Sequence, residues 1–226
     1  MAKKESKFLR QQKIAVGGLA VVVLAIVAYL SWLTASDANL DEIVEGEHYQ
    51  LIENPRRIRG DQIEVMEFFS YACVHCYNFD PLIKEWAEAR DDITLVQTPA
   101  IANEYWRLLG RHYYTLQAMD APEENHMRAF RAIHEARQAF NGPEKMIQFA
   151  ESSGLDRENY EKAFNSTEVS NALNRADQMA RRLRVAAVPT IIVQGKYLVR
   201  TTSTVGPRRM LQVIDYLVAK EQAEAG

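Results

Sequence analysis

The sequence predicts a small α/β fold, interrupted by a helical insertion and preceded by one membrane-spanning helix. Three observations predict it. The stretch Ile14 to Leu33 is apolar and carries no charge. Strand-like runs stand on both sides of the later chain: Ile63 to Ser70 and Ile93 to Gln97 on one side, Thr190 to Val193 and Tyr197 to Arg200 on the other. Between them, from about Glu104 to Arg184, the pattern is helical with no good strand.

The apolar stretch is long enough to cross a bilayer, which takes about 20 residues of helix. Lys3, Lys4, Lys7, Arg10 and Lys13 precede it, and Asp37, Asp41, Glu42, Glu45 and Glu47 follow. Basic residues stay on the cytoplasmic side, so residues 1–13 face inward and the bulk of the chain is exported. Tyr29 and Trp32 suit the outer interfacial belt. A cleavable signal peptide has a shorter apolar region, roughly 7–15 residues, and a small-x-small site. Thr34-Ala35-Ser36-Asp37-Ala38 is a fair cleavage site, but the length of the run favours a retained signal-anchor at 14–34. Residues 35–47 are small and acidic and read as a linker.

His48 to Ile52 reads as a short strand ended by Asn54-Pro55. Ile63 to Ser70 (IEVMEFFS) is β-favouring and nearly all apolar, as a central strand buried on both faces would be. A helix follows from about Cys73 to Arg90, with Ile83, Trp86 and Ala87 on its apolar face and Pro81 expected to kink it. Thr98-Pro99 ends the next strand. Trp106, Leu109, Tyr113 and Leu116 form one helical stripe, and Phe130, Ile133, Arg137 and Phe140 suggest a second. Asn141-Gly142-Pro143 breaks the chain before Met146, Ile147 and Phe149. Gly154 is a C-cap candidate, while Asp156 and Ser166 or Thr167 are N-cap candidates. A turn at Gly195-Lys196 joins the last two strands, and a helix opens near Pro207. These elements divide the chain into 48–102 and 181–226, two parts of one α/β domain, around an insertion at 103–180.

Composition narrows the function. Of 226 residues 47% are hydrophobic and the net charge is −3, with no basic stripe, which argues against nucleic acid. The chain has two cysteines, Cys73 and Cys76, two residues apart. Exported proteins use disulfides as staples. A bridge across so small a loop removes little chain entropy, so chemistry explains the pair better than stability does. Structural zinc needs about four ligands, and His48, His112, His126 and His134 stand at no ligand spacing. No metal and no cofactor are expected.

The strand-to-helix placement puts the Cys73 sulfur at a helix N-terminus, where unpaired N–H groups and the dipole favour a thiolate. His75 adds a donor, and a positive charge when protonated. Cys76, further inside the first turn, is less exposed. Cys73 is therefore the expected nucleophile and Cys76 the resolving thiol, with exchange through a mixed disulfide on Cys73. A depressed Cys73 pKa stabilises the reduced form, which makes the disulfide form the better oxidant.

These residues resemble the DsbA family of bacterial periplasmic thiol:disulfide oxidoreductases, of the thioredoxin superfamily. The runs that carry the likeness are Val65 to Phe79 (VMEFFSYACVHCYNF) and Arg184 to Thr190 (RVAAVPT), followed by Gly195-Lys196-Tyr197. The family is itself a standard illustration of a strongly depressed cysteine pKa and an oxidising disulfide. The resemblance implies a thioredoxin-like fold with an inserted α-helical domain. It implies that Val188-Pro189 is a cis-proline loop beside the active disulfide, lining a groove for substrate. Residues alone make Pro189 only the start of a strand.

Glu67, a carboxylate in an apolar strand, and Asp80, where the family tends to carry an acid beneath the disulfide, are candidates to relay a proton to Cys76. The alternatives are a wet strand face for Glu67 and a solvated helix position for Asp80. Val74 stands where well-known members carry proline, which frees the helix start and leaves the strength of oxidation open.

The sequence thus predicts an enzyme at the bacterial inner membrane with its catalytic domain in the periplasm, acting as a monomer. It would oxidise cysteine pairs in unfolded or newly exported polypeptides, held in a groove around Tyr71, Val74, His75 and Val188. A DsbB-like membrane partner would reoxidise it. The alternatives are an isomerase or reductase of the same compartment, and a membrane-anchored periplasmic chaperone or assembly factor whose cysteines are incidental.

Overall fold

The computed structural model describes residues 24–27, 42–58 and 60–225. The chain falls into two units, Met1–Ile43 and Val44–Gly226. In the first, residues 24–27 are helical, with Leu24, Ile26 and Val27 more than half exposed. Most of the 14–34 anchor and of the 35–47 linker lies outside the described residues. Among the described residues no helix is long and apolar enough to cross a membrane.

The second unit is built on a five-stranded mixed sheet. Its strands are β1 (Gln50–Leu51), β2 (Ile63–Phe69), β3 (Ile93–Pro99), β4 (Thr190–Val193) and β5 (Tyr197–Arg200), in the spatial order β1-β5-β4-β2-β3. β2 and β3 are parallel, with Val65 beside Leu95, and α1 (Val74–Glu88) crosses between them. β4 runs antiparallel to both β2 and β5, with Val65 beside Val193 and Ile192 beside Leu198. β2 is the central strand, as its unbroken apolar run requires, and only Glu64 within it is part-exposed. Met66 and Phe68 pack on one face with Leu183, Ile192 and Leu198. By strand alternation Val65, Glu67 and Phe69 point the other way. Gly195, at the β4–β5 turn, needs its missing side chain: φ is +65°, and a Cβ would stand 2.5 Å from the Arg56 carbonyl.

The insertion comprises α2 (Glu104–Ala118), α3 (Glu124–His134), α4 (Pro143–Ser152), α5 (Arg157–Phe164) and α6 (Thr167–Arg182); α7 (Pro207–Ala225) returns to the sheet. The local starts follow capping chemistry. Asn103, Asp156 and Ser166 accept from the backbone N–H of Trp106, Asn159 and Val169, and Pro143 opens α4 at its first turn. Gly154, at φ +89°, ends α4.

One element differs from expectation. α3 does not run to Phe140. It ends at His134, Arg137 has φ +53°, and Ala136 and Gln138 return backbone hydrogen bonds to Arg131 and Ala132. Phe140 is buried all the same, reaching the insertion core from the loop. Its spacing imitated a helical stripe because loop and helix serve one core. α1 continues across Pro81, which leaves the Tyr77 carbonyl without its i+4 donor.

Candidate active site

The turn Ser70-Tyr71-Ala72 delivers the chain from β2 to α1. The Ser70 carbonyl accepts from the Cys73 N–H at 3.0 Å, and its Oγ accepts from the Ala72 N–H at 3.2 Å. Cys73 is the N-cap of α1, with extended backbone (φ −96°, ψ 114°), and its Sγ accepts from the Cys76 N–H at 3.3 Å. A sulfur thus does what a Ser or Asp oxygen does at other helix starts. On its other side the Cys73 thiol lies 3.4 Å from the Val188 carbonyl oxygen, to which it donates.

Both cysteines are free thiols, Cys73 half-buried and Cys76 fully buried. Their acidities diverge. The hydrogen bond from the Cys76 thiol does most to lower the Cys73 pKa; burial opposes it, and the N–H groups of Cys76 and His75 and the His75 charge add to the fall, to about 6. Burial and the neighbouring Cys73 sulfur push Cys76 far up. His75 and Val74 are exposed beside the pair. The Val188-Pro189 bond is cis, Pro189 is buried and Val188 part-exposed. A shallow cavity of about 260 Å³ continues from Val188 along Ala186 and Val185 to Ile101 and Trp106.

Behind the thiols both candidate acids are buried, and neither faces solvent. This corrects the wet-strand and solvated-helix alternatives for Glu67 and Asp80. The Gln97 side-chain amide donates to Glu67 Oε2 at 2.8 Å and to Asp80 Oδ1 at 2.9 Å. Asp80 Oδ1 also faces His126 Nε2 at 2.9 Å, and its Oδ2 lies 3.1 Å from Lys84 Nζ. Glu67 Oε1 is buried without a hydrogen-bond partner. Burial, only partly offset by the Gln97 hydrogen bond and reinforced by the Asp80 charge, lifts the Glu67 carboxyl to about 8. Burial would raise Asp80 too, but the His126 hydrogen bond and charge, with Lys84 and Gln97, hold it below the usual carboxylate range.

Tyr71 does not line a groove. It is 1% exposed, its hydroxyl is 2.8 Å from His126 Nδ1, and its carbonyl accepts from His134 Nε2 at 2.8 Å. Its ring belongs to the insertion core, edge-on to Phe69 and Phe130. Sequence reasoning missed Gln97, Lys84, His126 and His134. Gln97, a polar residue inside an apolar strand, was the one with a local signal. Among the described residues no cluster of His, Cys, Asp and Glu could hold a metal ion.

The DSBA-like thioredoxin domain family matches residues 83–217. The thiol:disulfide interchange protein DsbA of Pseudomonas aeruginosa is 32% identical over 206 residues, covering 90% of this chain and 98% of that relative.

The chain belongs to the DsbA family.

It is accordingly a protein-disulfide oxidoreductase with a thioredoxin-like α/β fold. The DsbA of Azotobacter vinelandii, also a thiol:disulfide interchange protein, is 34% identical over 178 residues, 77% of this chain and 83% of that relative. The crystal structure of P. aeruginosa DsbA superposes with a TM-score of 0.78 at 34% identity, covering 82% of this chain and 97% of the other. DsbA from Xylella fastidiosa does so with a TM-score of 0.74 at 30% identity, covering 81% and 99%.

Proposed function

We propose that this DsbA-family protein introduces disulfide bonds into newly exported polypeptides through Cys73 and Cys76. The observation that carries the reading is the asymmetry of the pair: one low-pKa sulfur at a helix N-terminus beside a backbone carbonyl, one buried sulfur of high pKa. With the pair as a disulfide, a substrate thiolate attacks Cys73 Sγ and the S–S bond breaks. Cys76 leaves as a thiolate and takes a proton, for which protonated Glu67, linked to Asp80 through Gln97, is the donor nearest in chemistry. The second substrate thiolate then attacks the substrate sulfur of the mixed disulfide and expels Cys73 as its stabilised thiolate. Two electrons pass to the enzyme and the substrate is left with a disulfide.

His75 stabilises the Cys73 thiolate, and Val74, Val188 and the Pro189 loop form the surface that receives substrate backbone. A DsbB-like membrane protein reoxidises the pair. The uncharged run at 14–34, with basic residues before it and acidic residues after, supports an anchor in the bacterial inner membrane with the catalytic domain in the periplasm.

The test is the dithiol–disulfide equilibrium of the purified chain against glutathione, with disulfide formation in a reduced exported substrate. An oxidising pair, and complete loss of transfer in Cys73→Ala, is expected. A pair poised as reducing as a cytosolic reductant, or transfer that survives Cys73→Ala, would overturn the proposal.

A further inference from the structure

One member of the buried network comes from the helical insertion. His126, on α3, is 4% exposed and touches both flanks of the cysteine pair at once. Its Nε2 meets Asp80 Oδ1 of α1 at 2.9 Å, and its Nδ1 meets the Tyr71 hydroxyl, two residues before Cys73, at 2.8 Å. An ionised carboxylate only accepts, which assigns the proton to Nε2. The same stripe of α3 carries Phe130, whose ring lies 4.9 Å from that of Tyr71, and His134, which donates to the Tyr71 carbonyl at 2.8 Å. The turn that delivers Cys73 is thus gripped by the insertion.

The grip has an electrostatic side. Glu67 and Asp80 share the one Gln97 amide, and two buried carboxylates this close resist carrying charge together. His126 and Lys84 both stand on the Asp80 side of the pair. The groups facing Glu67 are Asp80 and Lys84 from α1, Cys73 and Cys76, Gln97 from β3 and Tyr113 from α2. His126 itself faces Asp80, Tyr71, Tyr113 and, also from α2, His112, which burial holds neutral.

We propose that His126 is a positioning residue of the thiol site: it fixes the turn that presents Cys73 and holds the negative charge of the buried carboxyl pair on Asp80 rather than on Glu67. This rests on Cys73 and Cys76 being the redox pair.

The experiment is the pH profile of the glutathione equilibrium for wild type, His126→Leu, His126→Gln and Tyr71→Phe. The wild type should show an inflection near the Glu67 value of about 8. In His126→Leu the Asp80 carboxylate loses its donor and the proton passes in part to Asp80; the state with both carboxyls charged becomes costlier, so the inflection moves to higher pH and the equilibrium constant changes about threefold or more. His126→Gln keeps a donor to Asp80 and should restore most of the wild-type profile. Tyr71→Phe frees the ring and should give a smaller displacement in the same direction. A His126→Leu profile that superimposes on wild type, whatever its melting temperature, overturns the proposal. Should that variant not fold, an unmoved inflection in Tyr71→Phe overturns it and a displaced one supports it. A wild-type pair that does not exchange with glutathione at all refutes instead the redox reading beneath it.

Discussion

Cys73 is where the chemistry of single groups is most exposed to test. Its pKa falls from the ordinary 9.0 to about 6 in the folded dithiol form. A depressed folded pKa stabilises the fold above the unfolded value, and that stability is lost as pH falls through the folded value. The reduced form should therefore gain stability relative to the disulfide form as pH rises from about 6 to about 9. Because Cys73 is partly open to solvent, we expect a gain on the order of 1 kcal/mol at pH 7. Urea unfolding of both redox forms across that range measures it, and a difference that stays flat with pH would contradict the depressed thiol. In His75→Ala the same rise should begin at higher pH, because one contributor to the thiolate has gone.

At the scale of elements, the insertion meets the sheet through α2. Gly110 lies there at close approach: a Cβ would meet Ile101 Cδ1 at 3.0 Å, Leu173 Cδ2 at 3.2 Å and Pro99 Cβ at 3.2 Å. In an exposed helix, Gly→Ala gains up to about 1 kcal/mol. Here the methyl would press α2 away from β3 and α6, and overpacking of a closed interior costs typically 1–3 kcal/mol. We expect Gly110→Ala to lower stability by about 1 kcal/mol net, read from the denaturation midpoint of the catalytic unit. A more stable variant would mean that the junction yields. Since α3 of the same insertion grips Tyr71, the accelerated exchange of amide hydrogens in that variant should extend to the Ser70–Ala72 turn.

For the whole molecule, the decisive property is location. The full chain should sediment with membranes and resist extraction by salt or alkali, as a spanning helix does and a peripheral protein does not. A chain lacking residues 1–34 should be soluble and keep the same equilibrium with glutathione, because the second unit starts at Val44 and contains both thiols and the acids behind them. A shortened product, cleaved within Thr34–Ala38 and released from the membrane, would replace the anchor by a signal peptide.

The elements were legible in the sequence because their signals are short-ranged. The apolar run of β2, the caps Asp156 and Ser166 and the turn at Gly195 act within a few residues of where they stand. The same is true of Cys73 and Cys76: spacing and a helix start suffice to make one sulfur acidic and the other buried, so the sequence by itself pointed to this pair and, with the family runs around it, to the class of reaction. What it left open depends on how distant segments pack. Phe140 reads as helix because only its burial is encoded, not the backbone that achieves it. Tyr71 reads as groove-lining until α3 covers it. Glu67 and Asp80 look equally able to face water or protein, and His126 looks like a scattered histidine. Only the tertiary structure decided these, by bringing His126 to Tyr71 and Asp80 across 55 and 46 residues of chain and burying them together. Once buried, a polar group must find a partner or bear the cost of desolvation.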